Sequence, residues 1–167
     1  MSETLEITKE NVLQAYKNAN NKGKGLLTDL FGKKVFQGSI KDRVKSYEDA
    51  CEELGLDPED QLPFMSEEDG NDDEFQLSIN AYTKLCIIAK ALNEGWIPDF
   101  KDTNEYKWFP WFRVTSAGFG FSSTLYSASN AYANFGSRLC VKSDSLAEYF
   151  GTHFVDIWEV YLMNNVV

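Results

Sequence analysis

The chain carries one histidine, His153, and three cysteines, and has no apolar run near the ~20 residues that span a bilayer. Each shortage removes a class of function. A serine or cysteine nucleophile activated by histidine needs a base in a pocket, whereas His153 falls on an apolar helical stripe, as a core or rim histidine would. Cys51, Cys86 and Cys140 are dispersed, odd in number and without CxxC spacing. That pattern disfavours a zinc site or a disulfide framework and fits buried thiols in an intracellular chain. The opening MSETLEITKEN lacks the apolar stretch of a signal peptide. Phosphate cradles are missing as well: Gly118-Phe119-Gly120-Phe121 lacks the third glycine of a dinucleotide fingerprint, and no GxxxxGK[ST] occurs. The formal charge of −10 argues against binding driven by nucleic-acid phosphates or anionic lipid.

What is present reads as an α+β domain, expected to span residues 1–167. Thr8 can cap a helix from Lys9 to about Asn20, broken by Asn20, Asn21 and Gly23. Gly25–Phe31 suggests a second short helix that Gly32 stops in the left-handed conformation, with loop over 33–40. Val44, Tyr47, Cys51 and Leu54 place one helix over Lys41–Leu54, ended by Gly55 and Pro58. Leu77, Ala81, Leu85, Ile88 and Leu92 predict a central helix from Glu74 to Asn93, broad enough in its apolar surface to pack on more than one side. Tyr106–Val114, the segment around Phe119 and Phe121, and Ala131–Val141 are strand candidates, predicting a small antiparallel sheet over about 106–142. Pro110 inside the first implies an edge strand, a bulge or two short strands. Ser143 can cap a closing amphipathic helix from Asp144 to about Met163.

Two stretches are candidates for binding. From Asp42 to Glu74 there are fourteen acidic and two basic residues, and residues 56–74 read as an exposed, mobile acidic loop. Glu67, Glu68, Asp69, Asp72 and Asp73 form its acidic surface. An EF-hand starting at Asp69 would need glycine at position six and glutamate at position twelve, where Glu74 and Asn80 stand, so no metal site is expected. The second stretch is aromatic and rich in glycine and serine. It holds more rings than one face of a small sheet can bury, so some should remain exposed as interface anchors. Trp108, Trp111, Phe119, Phe121 and Tyr126 are the expected anchors. For a hydrolase, Asp102 and Glu105 beside Trp108 and Trp111 are the carboxylates to consider.

LLTDLFG (26–32), DRVKSYEDACEELG (42–55), IIAKALNEGWIPDF (87–100), NEYKWFPWF (104–112) and FGSRLCVKSDSLAEYFGTHFVDIWEVYL (135–162) resemble, in order, a family of small proteins from tailed phages and prophages of Bacteroidota. The resemblance implies a phage accessory protein in the host cytoplasm or the virion. The family has no established activity, so no functional residues carry over. A shorter similarity links SSTLYSASNAYA and GSRLCV to a lectin-like domain of bacterial surface proteins.

The expectation is a non-enzymatic protein without a cofactor that binds a protein partner through the aromatic surface. The alternatives are an acidic nucleic-acid mimic that inhibits a host defence protein, a carboxylate-based hydrolase and a lectin-like carbohydrate binder.

Overall fold

The computed structural model describes residues 7–36, 38–64, 73–130, 136 and 138–163, and its backbone separates into two units, Met1–Arg43 and Val44–Val167. In the first, helix α1 runs Lys9–Asn18, and the Thr8 hydroxyl oxygen accepts the Asn11 N–H, as a capping residue should. The expected break at Asn20 is present and is also a start, four residues before the expected second helix. Asn20 accepts the Gly23 N–H and caps α2, Asn21–Phe31, which absorbs Gly23 and Gly25. Asparagine serves equally well as a breaker and as a cap, and here its side chain reaches forward. Gly32 ends α2 at positive φ but with extended ψ, outside the left-handed helical region that was expected. Part of the expected loop is a 3₁₀ turn over Lys33–Phe36, and Tyr16 stacks on Phe36 at 4.1 Å.

The expected Lys41–Leu54 helix is two helices, α3 (Ile40–Arg43) and α4 (Tyr47–Leu54). Ser46 interrupts it with a capping box: its hydroxyl oxygen accepts the Asp49 N–H, and the Asp49 carboxylate accepts the Ser46 N–H. The apolar stripe survives the break, since Val44, Tyr47 and Cys51 are all buried. Gly55 closes α4 in the left-handed conformation. Part of the acidic loop expected over 56–74 is instead a short helix, α5 (Pro58–Gln61), capped by Asp57 and opened by Pro58 at the position where a missing N–H costs nothing, while 65–72 lie outside the described residues.

The central helix forms as expected. Helix α6 covers Glu74–Leu92 and buries Ala81, Leu85, Ile88, Ala89 and Leu92. Helix α4 packs on it, as does α8 (Val155–Met163). Its buried Asn80 holds the Phe64 backbone by two hydrogen bonds, 3.2 Å from the Phe64 N–H and 2.8 Å to its carbonyl. Asn93, just past its end, donates to the Cys140 carbonyl at 2.9 Å and accepts from the Lys142 N–H at 3.0 Å. These bonds tie the helix end to the segment returning from the sheet.

Among the described residues the sheet is one antiparallel hairpin, β1 (Lys107–Thr115) and β2 (Gly118–Ser127), with a bulge where Trp111 passes to Phe112. Trp108 exchanges backbone bonds with Val141 on the side away from β2, at 3.0 and 2.8 Å. Alternation therefore turns the backbone nitrogen of Pro110 outward too, so the proline costs the hairpin no bond. The expected third strand, Ala131–Val141, is reduced among the described residues to this single bridge, and 131–135 and 137 lie outside them.

The closing helix is also split. Ser143 caps α7 (Asp144–His153) as predicted, and Phe154 separates it from α8. The uninterrupted apolar periodicity hid the break because both helices use that stripe: α7 packs on the hairpin and α8 on α6. Trp158 lies fully buried at the junction, and its indole N–H donates to the Phe150 carbonyl.

Candidate functional site: an aromatic cluster on a buried lysine

Strand alternation divides the five expected anchors. Trp108, Phe119, Phe121 and Tyr126 share the face that carries Pro110 and Phe112, and Trp111 points to the other face. Phe119 and Phe121 are half-buried. Phe112 stacks on Phe119 at 4.9 Å, meets Phe121 edge-on, and lies 5.1 Å from Trp158. These rings join the hairpin to the helices. Trp111, 41% exposed, stands apart from the other anchors on the opposite face.

The rings that come together and remain open to solvent are Tyr106, Trp108 and Tyr126. Tyr106 and Tyr126 are 51% and 54% exposed. Their centroids lie 4.6 Å apart, and Trp108 is 5.0 Å from Tyr126 and 6.4 Å from Tyr106. Tyr106 precedes the strand and was not among the expected anchors. Its signal was the spacing to Trp108, which puts both rings on one side of an extended backbone.

Lys107, between them, was missed entirely. It is 1% exposed. Its ammonium group donates to the carbonyls of Asp102, Glu105 and Ala128 at 3.1, 2.8 and 2.9 Å and makes a further bond to the Asp99 carbonyl. The Glu105 carboxylate lies 3.2 Å away, and the Phe100 ring 5.3 Å. A lysine in an alternating strand reads as solvent-facing. Only folding of the 99–105 loop brings enough oxygens around it to replace water.

Glu105 completes the support beneath the cluster. One carboxylate oxygen accepts the Asp99 N–H at 2.8 Å, and the other accepts the Trp96 indole N–H at 3.1 Å. The Asp99 N–H holds the Glu105 carboxyl below its ordinary pKa, helped by Lys107 and Trp96 and opposed by desolvation. The direction is wrong for a general acid, which needs a raised value. Asp102 accepts the Asn104 N–H in a local turn. A depressed carboxyl stabilises the fold above its unfolded pKa of about 4.3 and loses that contribution as pH falls through the folded value. Glu105→Gln should therefore flatten the acid limb of stability below about pH 4.3. Parallel pH-dependent unfolding curves for wild type and variant would contradict this role.

His153 stacks on Tyr149 at 4.8 Å, and its Nε2 lies 2.9 Å from the Lys45 carbonyl oxygen, a rim position with one hydrogen bond. Asp73 spends its carboxylate on the Phe75 and Gln76 N–H groups as the cap of α6. Glu67, Glu68, Asp69 and Asp72 lie outside the described residues. Among the described residues no group of three or more His, Cys, Asp or Glu could hold a metal ion, and no helix is long and apolar enough to cross a membrane. No protein-family model, curated protein or solved structure matches the chain.

Proposed function

We propose that this is a protein-binding accessory protein whose contact surface is the Tyr106–Trp108–Tyr126 cluster, and that it serves a tailed phage or prophage. The observation behind the reading is the cluster's construction. Three rings, two of them about half exposed, sit in mutual contact on a strand end anchored by Lys107. Anchored rings lose little side-chain entropy on binding, which is why tyrosine and tryptophan dominate interface hot spots. The phage setting rests on the resemblance of the five quoted phrases alone.

The test is capture of partners from phage-infected cells by the tagged protein, washed at low and high salt. A partner retained at high salt should bind at least ~30-fold more weakly when Trp108 or Tyr126 is changed to alanine, the loss of one hot-spot residue of about 2 kcal/mol. Unchanged binding by the Tyr106→Ala, Trp108→Ala, Tyr126→Ala triple variant would refute the reading.

A second reading has charge behind it. Residues 44–167 hold eight basic and twenty-one acidic side chains, whereas residues 1–43 hold eight basic and five acidic. So acidic a unit suits a basic groove, as a nucleic-acid mimic would. Its partner would be released by the high-salt wash and would be indifferent to the aromatic substitutions.

A further inference from the structure

We infer that the hairpin face carrying Trp111 is a binding site for an acidic sugar, whose ring stacks on Trp111 while its carboxylate pairs with Arg113. The pairs Trp111↔Ser123, Arg113↔Gly120 and Thr115↔Gly118 put these six residues on one face. β1 supplies the three larger side chains, and β2 answers each with serine or glycine. An open trough of about 460 Å³ lies there, with Arg113, Thr115, Gly118 and Gly120 in its lining. Gly118 is required by its backbone, which turns at φ +110°. Gly120 is not. Its φ is negative, and a Cβ added to it would meet nothing within 4 Å. Glycine inside a strand weakens it. Where neither conformation nor packing demands the residue, it marks a place that another molecule approaches closely.

The side chains around the trough select its occupant. Arg113 is the one charged residue between Trp108 and Ser137, and among the described residues its guanidinium has no hydrogen-bond or ion-pair partner. A guanidinium matches a carboxylate through two parallel bonds. The acidic unit around it repels a polyphosphate, so the ligand carries few charges. Trp111, 41% exposed, stands two residues along the strand and so ~7 Å away. A pyranose ring bearing a carboxylate spans that distance. Its C–H face, slightly positive, packs on the negative face of the indole. Its hydroxyls meet Ser123, directly across from Trp111 and exposed. An apolar ligand would need an enclosed pocket, whereas this trough is open to water. An extended peptide would seek the backbone groups of a strand edge, not a sheet face. The site is separate from the proposed protein contact, because Trp108 and Tyr126 lie on the other face.

The test is titration of the isotope-labelled full chain with methyl glucuronide, methyl galacturonide and sialyllactose, up to about 20 mM, followed by NMR. Methyl glucoside, methyl galactoside and lactose are the uncharged counterparts. At least one acidic sugar should shift the signals of Gly118, Gly120, Ser123 and the Trp111 indole. It should bind at least ~10-fold more tightly than its counterpart, which lacks the charge-assisted contact. Arg113→Gln should erase that preference, and Trp111→Ala should weaken both sugars. Gly120→Val should weaken binding at least ~10-fold yet melt no lower than wild type, since valine suits a strand and its Cβ meets nothing. No shift with any acidic sugar overturns the inference, as does equal binding of the uncharged counterpart. So does a Gly120→Val protein that binds as wild type, or one that melts lower and thereby shows that the strand itself needs the glycine. A peptide whose terminal carboxylate shifts these signals when no acidic sugar does would also overturn it, and would assign the face to a protein chain end.

Discussion

Gly151→Ala should destabilise the Val44–Val167 unit by about 2 kcal/mol, although alanine is the better helix former by about 1 kcal/mol. Gly151 lies in α7 where the helix meets the hairpin. A Cβ there would stand 2.5 Å from a ring carbon of Phe121 and 2.6 Å from the Pro110 Cβ. Neither neighbour yields readily. Proline has a fixed ring in a strand, and Phe121 meets Phe112, which rests on Trp158. Relief requires α7 to lift from the sheet, and overpacking of that kind costs roughly 1–3 kcal/mol. The midpoint of thermal unfolding should fall by roughly 5–10 °C. Gly25→Ala provides the opposite case. It is also helical, but its added Cβ meets nothing within 4 Å, so the same change should stabilise by roughly 0.5–1 kcal/mol. Equal and small effects at both positions would show that the close approach of α7 to the hairpin does not exist in solution.

Lys107→Met should cost about 3 kcal/mol, through the oxygens it abandons more than through the charge it removes. The carbonyls of Asp99, Asp102, Glu105 and Ala128 converge on the ammonium group. Methionine fills the volume but donates nothing, so buried acceptors go unsatisfied or the loop opens to admit water. Loop opening would also release Trp96 from Glu105, which should show in the near-ultraviolet dichroism. Lys142→Met is the control. Lys142 pairs with Glu94 at 3.0 Å, with both side chains more than a third exposed, and such pairs contribute about 0–1 kcal/mol. Denaturant midpoints for the two variants give the comparison. A Lys107→Met protein within 0.5 kcal/mol of wild type would mean that water already satisfies those oxygens. The same variant bears on the proposed function, because Lys107 fixes the strand end that carries Tyr106 and Trp108. It should weaken partner binding without touching a contact residue.

Capping chemistry and periodicity determined a good deal. Thr8, Ser143 and Gly55 sit at helix ends as their residue types require, and α6 follows its apolar stripe from Glu74 to Leu92. These are short-range effects, decided by a side chain and the N–H groups or apolar neighbours within a turn or two of it. The break at Phe154 escaped detection because α7 and α8 share one hydrophobic stripe, and that at Ser46 because Val44, Tyr47 and Cys51 are buried on both sides of it. The aromatic segment was legible as a candidate surface, and three of its residues, Trp108, Tyr126 and Trp111, are at least partly exposed.

Which rings assemble was decided by tertiary structure. Alternation along β1 put Trp108 and Trp111 on opposite faces, and pairing register set Tyr126 beside Trp108, where one residue of slip would have moved it to the Trp111 face. Packing of α7 and α8 claimed Phe119 and Phe121 for the core boundary. The sequence by itself determined the helix caps at Thr8, Gly55 and Ser143, the run of α6, the α+β composition, and a charge-free aromatic stretch in an acidic chain. Only the fold decided that a strand lysine would be the buried support of the exposed rings. A side chain's own chemistry sets what it can do locally, but the cost of burying an ammonium group depends on oxygens supplied by residues as far along the chain as Ala128.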